Sequence, residues 1–508
     1  MSTTRSVLSS RPWTPRDYQL DGIKFLLEHA CAGLFLRPGL GKSSITLAAL
    51  TILKKRSMLG KVLLVAPLRP VYDVWPGEIE KWLDFNHLTY AICHEASRAE
   101  MEKICRQDVD IVLINPEGLE SMLDPEVHVK HKMVMDPITM KLVEKEYKDK
   151  VVNRTRFKKL GFSMLIVDEL SKFKHHDTQR FKMLKQVLDT FDRRWGLTGS
   201  PAANGLLDLF GQCFILDMGN ALGRYVTHYR RAYFDSDRYQ HKWTLRPGAD
   251  QLIYERIKPL VLQMGYEHLK MPDLLVNDIY VDLPDDVMRF YLKMEVLFTA
   301  SLEQGRVTAL TAAAASTKIR QIASGGVYLD PEVLANGLQA PKSERKWVNL
   351  HSAKTDALRD LVDELQGDPL LVAYDFEHDL DRLRSKFKEG EFAEDYGMKE
   401  FRGLTKRWNS GAVPMLFGHP ASIGHGLNLQ GASGNVCWHT PTWNRDHYDQ
   451  FTDRVWRQGN ERPSVTVHRI IARNTIDEVI IGSCDSKGTV EEALFTGLRK
   501  LREARDAE

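Results

Sequence analysis

Short apolar runs recur along the first third of the chain: GKVLLVAP at 60–67, VDIVLIN at 109–115 and FSMLIVDE at 162–169. They are β-branched or leucine-rich throughout rather than at every second position, and they alternate with longer segments whose apolar residues fall at helical spacing. That alternation predicts a parallel sheet with helices on both faces. A second set follows, with DPLLVAYDF at 368–376, AVPMLFGHP at 412–420, NVCWHT at 435–440 and PSVTVHRII at 463–471. Two α/β lobes are the economical reading. Between the sets, over roughly 205–335, strand signals thin out and the text turns helical, as in VTALTAAAASTKIRQIA at 307–323. The expected division is a first lobe over 1–212, a helical connector over 213–274, and a second lobe over 275–508 with a helical insertion at about 287–325. The charged segment KLVEKEYKDKVVNRTRFKK, 141–159, interrupts the first lobe before its central strand and is expected as a solvated helical excursion.

Composition narrows the class without naming an activity. At 508 residues, 43% hydrophobic and 27% charged, the chain is expected to fold as two or three globular domains and not as a disordered or fibrous polymer. No apolar run approaches the roughly 18 residues of a membrane span, and MSTTRSVLSSRPW lacks a secretory apolar core. A soluble protein that stays inside the cell is expected. The six cysteines, at 31, 93, 105, 213, 437 and 484, form no CxxC pair and read as reduced thiols, mostly in cores. Seventy Lys and Arg against 68 Asp and Glu leave a net charge of +2, so any binding of a polyanion must come from local patches.

Four segments carry candidate chemistry. LRPGLGKSS, 36–44, lies between the apolar ACAGLFL and the helical SSITLAALTIL. In a strand–loop–helix setting, glycines let backbone N–H groups close around phosphate oxygens while the helix N-terminus adds its dipole. Gly39, Leu40 and Gly41 would form that loop, Lys42 would reach the β- and γ-phosphates, and Ser43, with Ser44 beside it, would supply a hydroxyl to Mg²⁺. Leu36 stands where the GxxxxGK[ST] pattern has its first glycine. Next, Asp168 and Glu169 end the strand MLIVDE, at the edge where parallel sheets bind ligands. Asp168 would complete the Mg²⁺ shell and Glu169 would deprotonate the attacking water; read alone, the pair could equally cap a helix. In LTGSPAANG, 197–205, Thr198 and Ser200 could hydrogen-bond the acidic pair. Finally, ASIGHGLNLQGAS at 421–433, with Gly426, precedes WNRDHYDQFTDRVWRQGN at 443–460. There Arg454 and Arg457 lie three apart on an expected helix, so both could project from one face toward a transferring phosphoryl group. Salt bridges to Asp453 or Asp449 are the plainer alternative for those arginines. His175, His176, His419, His425, His439 and His447 form no recognised ligand pattern with Cys437, and catalytic Mg²⁺ is the one metal expected.

In this order, the segments resemble the motifs of superfamily-two helicases and, within them, the Swi/Snf-type branch of DNA-dependent ATPases. RDYQLDGIKFLLE, 16–28, is similar to that branch's opening segment, where Gln19 would read adenine. GLGKSS, DELS, LTGSP, GLNL and QFTDRVWRQGN stand in for its later motifs, with DELS in place of the commoner DEAH or DEAS. LLDLFGQCFILDMGNALGRYVTHYRRAYF, KIRQIASGGVY and HPASIGHGLNLQ resemble segments of compact bacteriophage-encoded members.

The resemblance implies two RecA-like lobes joined by a helical connector, with ATP and Mg²⁺ bound between them. Lys42, Ser43 and Asp168 would come from the first lobe, and Arg454 and Arg457 would close from the second. It implies a motor, functional as a monomer, that moves on duplex DNA without separating its strands. It would work in the cytoplasm, a host's if phage-encoded, associated with the nucleoid when on DNA. The phosphate backbone would be gripped by APLRP with Pro67 and Arg69, by NPEG with Asn115, and by Trp443 and Asn444. Two alternatives stay open: a strand-separating or annealing helicase on forks or RNA, and a nucleotide-gated nucleic-acid clamp with little turnover.

Overall fold

The computed structural model describes residues 11–135, 142–199, 201–202, 205–236, 243–265, 270–303, 309–329, 346–423 and 427–485. The chain divides into two compact units, Met1–Leu269 and Lys270–Glu508.

The first unit's strands are β1 (Cys31–Leu36), β2 (Lys61–Val65), β3 (Tyr90–Cys93), β4 (Ile111–Ile114), β5 (Pro125–Met135), β6 (Leu142–Val152), β7 (Phe162–Asp168), β8 (Arg193–Thr198), β9 (Phe234–Ser236), β10 (Trp243–Leu245) and β11 (Val261–Met264). Seven form one parallel sheet in the order β11-β1-β8-β7-β2-β4-β3. Successive residues of a strand point to opposite faces, and here both faces are buried. Leu63, Val65, Leu165 and Val167 enter one core, while Val62, Leu64, Met164 and Ile166 enter the other. That is why these runs are apolar without a gap. Each such side chain contributes ~1.5–3 kcal/mol by leaving water. Three helices bear on the site: α1 (Asp17–Glu28), α2 (Lys42–Lys55) and α3 (Trp75–Lys81).

The second unit repeats the plan. Its strands are β12 (Asp273–Val281), β13 (Gly326–Tyr328), β14 (Trp347–Asn349), β15 (Leu370–Ala373), β16 (Glu391–Phe392), β17 (Met415–Gly418), β18 (Asn435–Trp438) and β19 (Ser464–Ala472). Six form a parallel sheet, β12-β19-β18-β15-β17-β16. Leu371, Ala373, Leu416 and Val436 face one core; Leu370, Val372, Phe417 and Cys437 face the other. Two parallel sheets flanked by helices are the architecture expected of RecA-like lobes.

The charged segment 141–159 is not helical as expected. From Leu142 it is β6, paired with β5 from Pro125↔Val152 to Met135↔Leu142, and only Arg154–Lys158 forms a helical turn. Charge density masked a ladder whose partner lies just upstream, and strand formation depends on that partner more than on the segment's own residues. The hairpin's base is tied down: Gln186 accepts the Val152 N–H at 2.9 Å and donates to the Lys150 carbonyl at 3.0 Å. Residues 213–274, expected as a helical connector, hold the helices Val226–Tyr233 and Ala249–Ile257 together with β9, β10 and β11. Of these, β11 is the edge strand beside β1. The helices Asp285–Glu303 and Ala309–Ser324 lie over the segment expected as an insertion. No described helix is long and apolar enough to cross a membrane. Cys93, Cys105, Cys213 and Cys437 are free thiols in the cores.

The segment KIRQIASGGVY is held to the second sheet by a buried polar network. Asp379, fully buried, accepts hydrogen bonds from Ser324 at 2.6 Å, Thr440 at 2.7 Å and Arg382 at 2.6 Å. Burial pushes its carboxyl pKa up, but His378, His439 and Arg382 outweigh this and hold it well below the usual range. Beside it, Lys354 and Asp477 form an ion pair of 2.5 Å that is almost completely buried. His351 sits here as a neutral ring, with Nε2–H toward the Ile322 carbonyl at 2.9 Å and Nδ1 accepting from the Ala353 N–H at 3.3 Å. Burial lowers its pKa to about 4; Arg382 and Lys354 reinforce this, while the Ile322 hydrogen bond and Asp477 oppose it.

Two expectations follow from this packing. A depressed histidine pKa favours folding above the unfolded value of about 6.5, and that contribution is lost as pH falls toward 4. Between pH 7 and 5, His351 alone is expected to remove ~2 kcal/mol from the second unit. Thermal unfolding of the chain and of His351→Gln across that range checks it: the variant is expected to show the shallower pH dependence. In the first unit, a Cβ on Gly196 would stand 2.2 Å from Leu170 Cδ1, and Leu170 is fully buried. Gly196→Ala is expected to destabilise by ~1–3 kcal/mol, and by much less in a Leu170→Ala background. Equal losses in both backgrounds, measured by denaturant unfolding, would rule out the steric cause.

Candidate active site

The order β1-β8-β7 brings three loops together at the carboxyl ends of adjacent strands, with Phe35 opposite Thr198 and Leu197 opposite Asp168. After β1 the chain turns through Gly39, at φ 91°, and Gly41, at φ 78°, into α2. Both angles lie in the left-handed region, where a side chain is strained. A Cβ on Gly41 would also stand 2.4 Å from Gln19 Nε2. The loop is therefore a cradle that only glycine can line at that point.

Within it, Lys42 Nζ donates to the Leu36 carbonyl at 2.8 Å. Gln19, on α1 and buried, clasps the loop from behind: its Nε2 donates to the Leu40 carbonyl at 3.3 Å and its Oε1 accepts from the Arg16 N–H at 3.0 Å. Ser43 is half-buried in the first turn of α2. Ser44 is turned away and donates to Glu78 on α3 at 2.9 Å.

Asp168 closes β7, and its Oδ2 accepts the indole N–H of Trp75 at 2.9 Å. Burial pushes its pKa up to about 6; the neighbouring Glu169 adds to the rise, while Trp75 and Lys42 oppose it. Such a carboxylate is short of positive charge, and the hard oxygens of Asp168 and Ser43 are the donor type that Mg²⁺ takes. Glu169 follows at φ 68°, a left-handed conformation costing about 1–2 kcal/mol in a residue with a Cβ. Two hydroxyls converge on its Oε1: Ser171 at 2.6 Å and Thr198 at 3.0 Å. The expected bond from Thr198 to the acidic pair is thus present. Ser200 lies outside the described residues.

In the second unit, the helix bearing Gln450 ends at Thr452, so Arg454 and Arg457 lie in the turns after it and not on the helix expected. Backbone turns bring them together instead. Both donate to the Leu427 carbonyl, Arg454 at 3.0 Å and Arg457 at 3.2 Å, and Arg454 also holds the Gln450 carbonyl at 2.8 Å. Gly426 lies outside the described residues. Of the expected nucleic-acid contacts, Pro67 is buried and Arg69 half-buried. Asn115 is buried and donates to Glu117 at 3.0 Å. Asn444 caps the helix Arg445–Thr452 through the His447 N–H at 3.2 Å, and Trp443 packs on the core under the helices Asp285–Glu303 and Ala309–Ser324.

Sequence reasoning missed Trp75, Glu78 and Ser171. Trp75 reads as an ordinary core residue, because an indole in an apolar stretch gives no hint of where its N–H points. Ser171 stands two residues beyond Glu169, a spacing that a local hydroxyl-to-carboxylate bond would have suggested.

The model of the SNF2-related domain matches residues 18–329, more than half of the chain. Protein p41 of Acyrthosiphon pisum secondary endosymbiont phage 1 is 29% identical over 96% of this chain and 100% of its own length. A protein of Mycoplasma pneumoniae described as an ATP-dependent helicase is 24% identical over 91% of this chain but only 40% of its own length. Among solved structures, the SWI2/SNF2 ATPase core of Sulfolobus solfataricus in complex with double-stranded DNA aligns at 21% identity and a TM-score of 0.41, over 92% of this chain and 89% of that one. The fold stated above rests on the chain's own sheets. With the glycine loop, the acidic pair and the Thr198 hydroxyl that bonds Glu169 on adjacent strands, the chain belongs to the SNF2-related family of nucleic-acid-dependent ATPases within helicase superfamily two.

Proposed function

We propose that the chain is a motor that hydrolyses ATP with Mg²⁺ and moves along duplex DNA. The observation that carries this is the clustering of Lys42, Asp168, Glu169 and Thr198 at the ends of β1, β7 and β8. In this reading the Lys42 ammonium leaves the Leu36 carbonyl for the β- and γ-phosphates, over the cradle made by Gly39, Leu40 and Gly41. Ser43 and Asp168 hold Mg²⁺, which neutralises charge on the phosphates when bound. Glu169 takes the proton of the attacking water, and Thr198 and Ser171 fix the carboxylate that does so. Gln19 is placed to favour adenine while tied to the loop. Arg454 and Arg457 would offset charge that develops on the transferred group.

Lys42→Ala and Glu169→Gln are each expected to lower ATP turnover at least ~100-fold with thermal unfolding unchanged. Duplex DNA is expected to stimulate the unaltered chain more than single-stranded DNA or RNA, and ATP to drive displacement of the third strand from a triplex. Absence of stimulation by any nucleic acid would defeat the proposal. Tight ATP binding with turnover at background would favour the clamp instead.

One observation favours strand separation as a second reading. The β5–β6 hairpin has 11 residues in each strand, about 37 Å of ribbon, with Val127, Val129 and Met133 exposed. If it works as a wedge, the unaltered chain releases a labelled strand from a fork. A variant with 127–150 replaced by a short Gly-Ser turn would then hydrolyse ATP on DNA but release none. No release by the unaltered chain discards this reading.

A further inference from the structure

The side chain that sets Asp168 in place comes from outside the loops so far assigned to catalysis. Trp75 opens α3 and is fully buried, in the same apolar cluster as Leu36, Ala66, Leu113 and Ile166. Its indole N–H meets Asp168 Oδ2 at 2.9 Å. An indole nitrogen can donate but cannot accept or ligate a metal, so this contact serves the carboxylate alone. A carboxylate has two oxygens and can rotate about its last bond. Engaging Oδ2 from a rigid, buried donor limits that rotation and so fixes where Oδ1 points; the Glu169 backbone N–H also bonds the carboxylate.

Helix α3 is itself braced. Glu78, three residues beyond Trp75, accepts the Ser44 hydroxyl of α2 at 2.9 Å and the Trp82 indole at 2.8 Å. One short helix thus grips both the helix that begins at Lys42 and the strand that ends at Asp168. It continues without a break from a π-helical turn, Pro70–Val74, and the Trp75 N–H bonds to the Pro70 carbonyl across that turn. Turns of this kind are uncommon and collect at functional sites.

We infer that Trp75 is a positioning residue for ATP hydrolysis, its indole N–H orienting the Asp168 carboxylate that would hold the divalent cation. This rests on the proposed Mg²⁺ role of Asp168. Hydrogen bonds to ligating groups are typically worth 10–100-fold in metal affinity or activity.

The test is Trp75→Phe, which keeps a ring in the core but removes the donor. Ile79→Ala serves as the packing control: Ile79 is buried on the same helix and its side chain carries no donor. Mn²⁺ binding in the presence of ADP, read from the EPR signal of the free ion, is expected to weaken ~10-fold or more in Trp75→Phe and to stay within twofold in Ile79→Ala. The Mg²⁺ concentration for half-maximal turnover is expected to rise in step, with little change in KM for ATP at saturating Mg²⁺. Equal metal titrations for the two variants would reduce Trp75 to packing and overturn the proposal. Asp168→Ala, run alongside, separates the two levels: if it too leaves Mn²⁺ binding unmoved, the metal assignment falls and the proposal falls with it. Should Trp75→Phe fail to fold, ¹⁵N-tryptophan labelling of the unaltered chain decides. One exchange-protected indole resonance must shift on adding Mg²⁺ and ADP, and Asp168→Asn must displace that same resonance. Its absence overturns the proposal.

Discussion

The hydrogen bond from Thr198 to Glu169 exists because β8 is inserted between β1 and β7. That placement constrains the rest of the first unit. A parallel strand cannot join its neighbour by a tight hairpin, so β1, β7 and β8 are far apart in sequence and meet only when the whole sheet forms. Once it has formed, their carboxyl ends lie side by side. The phosphate loop, the acidic pair and the hydroxyl then share one edge with no flexible linker between them. The covering helices and the continuous apolar runs beneath them give that edge its rigidity.

Local features at this edge run against the preferences of the chain, and each is held by neighbours. Glu169 occupies a left-handed conformation, and Asp168 is a half-buried carboxylate whose pKa is pushed up to about 6. Neither would persist in an isolated peptide. The conformation at Glu169 goes with a carboxylate that accepts from Thr198, at the end of β8, and from Ser171, in the turn that follows it. The packing that locks the turn is Leu170 over Gly196, a pair that works only because one partner has no side chain. The family's commoner small residue after the acidic pair is here a leucine, and the strand alongside offers the missing volume.

Much of this was legible in the sequence, and the parts that were not have physical reasons. The buried central strands announced themselves because a run covered on both faces needs no partner to be recognised. The hairpin did not: β6 is a charged stretch whose period becomes visible only beside β5, and β11 is too short to show any period. At the site, Lys42, Asp168 and Glu169 were readable because glycine and carboxylate patterns carry chemistry in their spacing. Thr198 was readable through its motif. Trp75 was not, since what matters is the direction of one N–H from a residue that looks like filler. The helix expected to carry Arg454 and Arg457 would have to run to Arg457, five residues past its end at Thr452. Their convergence on Leu427 arises from the turns beyond its end.

Lys42, Arg454 and Arg457 share one feature. Lys42 donates to the Leu36 carbonyl, and Arg454 and Arg457 to that of Leu427. A backbone carbonyl is a neutral acceptor. It satisfies a buried N–H well enough to prevent the loss that an orphaned donor would cause, and with a cation as the donor the bond is charge-assisted. Each of these bonds therefore ties a charged side chain to a nearby loop, Lys42 to the end of β1 and the two arginines to Leu427.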